Sequence, residues 1–153
     1  MISIELARAL RDSNLVWSPV RGDNFCIDRV EADAEIYTLS DMTVEAHTFT
    51  SGTVLGFNGT TEWALDSVAL DDALWLPRED QLRDLLATAF LTLERIESTE
   101  SIESTESIEP VSLEASAYRL AALVGGEQRV FEAPDAADAY ARALLALLDT
   151  IAD

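Results

Sequence analysis

The chain has 153 residues, 48% of them hydrophobic, and carries 29 acids against 10 bases for a formal net charge of −19. All of the bases are arginine, which excludes the phosphate loop of nucleotide-binding enzymes and Schiff-base chemistry, both of which need a lysine. So acidic a chain repels nucleic-acid phosphates and anionic lipid, and its field suits a basic partner or divalent cations.

The first predicted element is a helix over 3–12, with Ser3 as its cap and Ile2, Leu6 and Leu10 as an apolar stripe. Asn14 fits the left-handed terminator that follows a helix. Short strands come next: "FCID" from Phe25, then "EIYTLS", then "TVEAHTF". Ser51-Gly52 turns the chain into "TVLGF", and Asn58-Gly59 predicts a two-residue hairpin turn into "TTEWAL". In that hairpin Thr60, Thr61 and Glu62 are sheet residues, and Trp63 and Leu65 share one face. Pro77 suits the first turn of a second helix, around 78–90, whose Leu82, Leu85, Leu86 and Phe90 repeat at helical spacing. Trp75 and Leu76 are expected to anchor the approach to that helix.

"LTLERI" predicts a further strand. An acidic low-complexity insertion follows at about 96–110, in which the hexamer IESTES occurs twice. "YRLAALV", "GGE" and "QRVFEA" predict a second hairpin, and Pro134 opens a final helix over 134–151. The sum is one α+β domain over 1–153, with a largely antiparallel sheet and about three helices. Cys26 is the single cysteine, so no intrachain disulfide forms and a reducing compartment is expected. The opening "MISIELARALRDS" lacks the pattern of a secretory signal, and "ARALLALLDTIA" is too short to span a bilayer. A cytoplasmic location, with no nucleic-acid or membrane partner, is the expectation.

Few residues offer chemistry. One cysteine and one histidine fall short of the four ligands of a structural zinc site. Cys26 and His47 make a nucleophile and base if their strands are neighbours, although a buried cysteine and a sheet-surface histidine are the commoner outcome. The acids fall into groups: Glu31, Asp33 and Glu35 on one face of a possible strand, Asp66 with Asp71 and Asp72, and Glu79 with Asp80. Converging carboxylates of this kind hold Mg²⁺ in phosphohydrolases. Groups of three are also what chance places in so acidic a chain.

The stretch "FNGTTEWALDSVALDDALWLPREDQLRDLL" (57–86) resembles a group of short bacterial proteins, some labelled pilus assembly protein. "LVWSPVRGDNFCI", "LSDM" and "VFEAPDAADAYARALLALL" are similar to theirs. The resemblance implies a place near pilus assembly and implies no catalytic residue and no cofactor.

The leading expectation is an accessory or protein-binding protein, with Trp17, Trp63 and Trp75 as candidate contact residues for a protein partner or a second copy. Tryptophan suits a core as well as a binding surface. Two other readings stand beside it. One is a divalent-metal phosphohydrolase built on the acids; the other is an acidic mimic of nucleic acid that occupies a basic partner's groove.

Overall fold

A computed structural model describes residues 1–28, 35–40, 44–57, 67–98 and 115–152. Helix α1 spans Ile4–Asp12. It ends as Asn14 predicts: Asn14 lies at φ 64°, its N–H donates to Arg11 O, and Leu15 N–H donates to Leu10 O, both at 3.0 Å. This pair of bonds is the Schellman termination, in which the left-handed residue reverses the chain and tucks the next apolar side chain under the helix. The Ser3 hydroxyl makes no capping bond. The Ser3 N–H donates instead to Asp138 Oδ1 at 2.7 Å, which ties the N-terminus to the last helix.

Strands β1 (Asn24–Ile27), β2 (Ile36–Thr38), β3 (Val44–Phe49) and β4 (Gly52–Phe57) follow. Next come β5 (Ser67–Ala69), a 3-10 turn over Leu70–Asp72, and β6 (Ala73–Leu76). Helix α2 is Glu79–Leu86, with Arg78 at its N-cap. Strands β7 (Phe90–Ser98), β8 (Ala115–Val124) and β9 (Glu127–Ala133) lead to α3 (Ala136–Ala152). The α+β class is therefore as expected, but among the described residues the strands form three antiparallel sheets, not one. Their orders are β2-β1-β6, β3-β4-β5 and β7-β8-β9. Trp75 and Leu76 belong to strand β6, which leads directly into α2. The first three residues of the expected acidic insertion, Ile96 to Ser98, continue β7 opposite Ala117, Ser116 and Ala115. The Asn58-Gly59 turn, with Thr60, Thr61, Glu62, Trp63 and Leu65, lies outside the described residues, as do 99–114.

The sheet β2-β1-β6 is a middle layer with two packed faces. Cys26 on β1 stands opposite Leu74 on β6, and both join a core with Leu10, Leu82, Leu120 and Leu144 from the helices and the third sheet. On the other face Phe25 and Ala73 pack with Leu39 and with Leu55 of β4. Alternation along a strand sends successive residues to opposite faces, so Phe25-Cys26 and Ala73-Leu74 each feed both cores. Helix α3 packs on α1, α2, β8 and β9. It presents Ala137, Ala139, Ala141 and Ala143, all fully or almost fully buried, and small side chains let several elements approach one helix.

The β8–β9 hairpin closes through Gly125 at φ 62° and Gly126 at φ 85°, the two positive values that a type I′ turn demands. A side chain at Gly126 would meet no atom within 4 Å, so any cost there is backbone strain alone. Ala87 after α2 is strained in the same sense, at φ 46°. Substituting Gly126→Val should therefore lower the unfolding free energy by about 1–2 kcal/mol, and Ala87→Gly should raise it by up to about 1 kcal/mol. Urea denaturation of the two variants measures both signs.

Candidate functional site

Two segments far apart in the chain, "WSPVRGD" and "PREDQ", meet at one buried carboxylate. Asp23 is 1% exposed and fully engaged. Its Oδ2 accepts from Trp17 Nε1 at 2.8 Å and from the Val20 N–H at 3.0 Å. Its Oδ1 accepts from Gln81 Nε2 at 2.6 Å. The Arg78 guanidinium lies 3.6 Å away and donates to Gly22 O at 2.6 Å. Gln81 also accepts the Arg78 N–H at 3.0 Å, so its amide caps α2 with one end and holds Asp23 with the other. A buried charge persists only when paired and hydrogen-bonded, and here the partners come from the 17–22 loop and the start of α2.

This clasp sets the position of the Trp17 indole. Trp17 stacks on Trp75, with ring centroids 6.3 Å apart and planes within 4°, and leans on Phe25 at 5.7 Å. Phe25 stacks in turn on Tyr37 at 5.5 Å. Phe25 stands opposite both Tyr37 and Trp75 in the strand register, so the aromatic row follows from the pairing of three strands. Both tryptophans are partly buried. Trp63, the third expected contact residue, lies outside the described residues.

Beside the pair opens a cleft of about 400 Å³ between the C-terminal end of α1, the 14–17 loop, the 3-10 turn and β6. Leu10, Leu15, Leu74 and Pro77 contribute apolar wall, and Arg11, Asn14 and Asp71 are its polar members. Val16, also in the lining, is 81% exposed. Trp75 Nε1 is buried and has no hydrogen-bond partner among the described residues.

The expected acid groups are placed only in part. Glu35 lies before β2 and accepts from Tyr37 Oη at 2.7 Å. Asp71 and Asp72 are exposed on the 3-10 turn. Glu31, Asp33 and Asp66 lie outside the described residues, among which no three Asp, Glu, His or Cys are grouped to hold a metal ion. Cys26 and His47 stand in different sheets, since the neighbours of β1 are β2 and β6. Burial pushes the Cys26 thiol up, and Asp28 adds to the shift, which weakens it as a nucleophile.

Sequence reasoning missed Asp23 and Asp28. Asp28 accepts from Arg8 Nε at 2.9 Å and from Arg11 at 2.8 Å. Burial pushes its carboxyl up, but the hydrogen bonds from Arg11 and Arg8 outweigh burial and hold it below the usual carboxylate range. No sequence pattern marked either residue, because their partners are set by tertiary packing.

Comparison with family models, with curated proteins and with solved structures found no match to this chain.

Two predictions test these contacts. Asp23→Ala leaves the Trp17 and Gln81 donors and the Arg78 charge without their acceptor, so it should cost on the order of 3 kcal/mol. Its thermal unfolding, followed by tryptophan fluorescence, measures the loss. The folded pKa of Asp28 lies below its unfolded value, so its ion pairs add stability above about pH 4 and lose it as the pH falls through the folded value. The melting temperature of Asp28→Asn should therefore fall short of the native one at pH 7, and the gap should narrow below about pH 4. A gap independent of pH would assign the effect to packing.

Proposed function

We propose that the protein works by binding, with the tryptophan cleft receiving an apolar side chain from a partner protein. The observation that carries this reading is the cleft itself: a concave apolar wall joined to the exposed Val16. Pockets that hold small ligands run from roughly 300 to 1,000 Å³, so 400 Å³ has room for a large side chain. The lip favours a macromolecule, because Val16 lines the cleft yet is 81% exposed and gains burial only under a wider surface. The clasp at Asp23 supports the same reading. It holds Trp17 in one orientation before any partner arrives, and a preordered aromatic anchor loses less entropy on association. The resemblance to bacterial proteins labelled pilus assembly protein makes components of that machinery the first partners to try.

The test is positional. Val16→Glu places charge on the lip at an exposed residue, so the fold should keep its melting temperature. Val130, 53% exposed on β9, supplies the control Val130→Glu. Co-purification of the partner should fail with the lip variant and persist with the control. Retention of the partner by the folded lip variant would overturn the assignment of the cleft.

A further inference from the structure

We infer that the segment entering the cleft is a basic amphipathic one, with an apolar face for the cleft and arginine or lysine beside it. This inference rests on the binding reading and names its partner class. The charges around the opening carry it. Asp71 lines the cleft, and Asp72 is next to it on the same 3-10 turn. Both are exposed, and neither forms an ion pair with a described residue. The base in the wall, Arg11, is already engaged, 2.8 Å from Asp28 and 3.7 Å from Asp12. An incoming cation therefore finds the open carboxylate of Asp71 in the lining, with Asp72 next to it in the chain, whereas an incoming anion finds an arginine whose charge is already countered. The net charge of −19 deepens the contrast by steering cations towards the surface. The aromatic wall adds to it, since an indole face attracts guanidinium and ammonium groups. An apolar wall with acids along one side is the complement of a helix whose leucine face is flanked by basic residues.

The full chain is titrated with two tryptophan-free peptides of about four helical turns. They share one leucine pattern, and their polar positions are all lysine in one and all glutamate in the other. Tryptophan emission, read in a Trp63→Phe background so that it reports on Trp17 and Trp75, follows the titration, and calorimetry gives affinity and stoichiometry. The lysine peptide should saturate at one per chain, bind at least tenfold tighter than the glutamate peptide, and weaken as salt rises. Asp71→Asn with Asp72→Asn should lower its affinity by about fivefold, as two exposed pairs allow. Glu94→Gln with Glu97→Gln removes the same charge from β7 and should leave the affinity within about twofold, because screening confines each charge to its neighbourhood. Equal losses from the two double variants would overturn the inference, since attraction would then belong to the net charge. If both peptides bind equally and Val16→Glu displaces both, the basic character falls and the docking cleft stands. If neither peptide alters tryptophan emission, the cleft assignment falls as well.

Discussion

A single desolvated carboxylate governs how the two halves of this chain meet. Asp23 sits between a loop that ends α1 and a helix that begins more than fifty residues later, and it is the acceptor both require. Removing it would not simply delete three hydrogen bonds. Each donor would lose its acceptor in a part-buried setting, and the penalty of an unsatisfied donor exceeds the net gain of an ordinary hydrogen bond. The geometry is thus over-determined: β1, the 17–22 loop and α2 are registered against one another at one point.

From that point the cleft follows by packing. Strand β6 runs between β1 and the N-terminus of α2, so holding α2 also holds Trp75 on the adjoining strand. The Schellman turn after α1 brings Leu15 beneath the helix and delivers Trp17 to the face where Phe25, Tyr37 and Trp75 already stand in register. The middle sheet gains from this arrangement, because each of its faces closes a separate apolar cluster and neither is left to water.

Local signals were enough for the presence of the helices and for the last hairpin, although α2 stops at Leu86 and Phe90, expected on its apolar face, opens β7. Asn14 and Gly125-Gly126 mark backbone geometry that only a few residues adopt cheaply, and the leucines of α2 and α3 repeat at the helical period. Strands β5 and β6 escaped because they are three and four residues long and interrupted by a 3-10 turn, too short for periodicity to register. The division into three sheets escaped for another reason: which strand neighbours which is decided across the whole chain, and β1 finds its partner β6 far downstream. The site was half legible. Trp17 and Trp75 stood out by residue type, but their stacking and the role of Asp23 depend on that same distant pairing.

The burial of Cys26 has a practical side. It is the only cysteine in the chain, it is 1% exposed, and burial, with Asp28 beside it, pushes its thiol above the ordinary cysteine range. Alkylating reagents act on exposed thiolate, so the folded protein should behave towards them as though it had no cysteine at all. One new cysteine on an exposed lip residue would then carry a spin label or fluorophore alone. The native chain is in this sense already prepared for spectroscopy of its own cleft, with no residue to remove first.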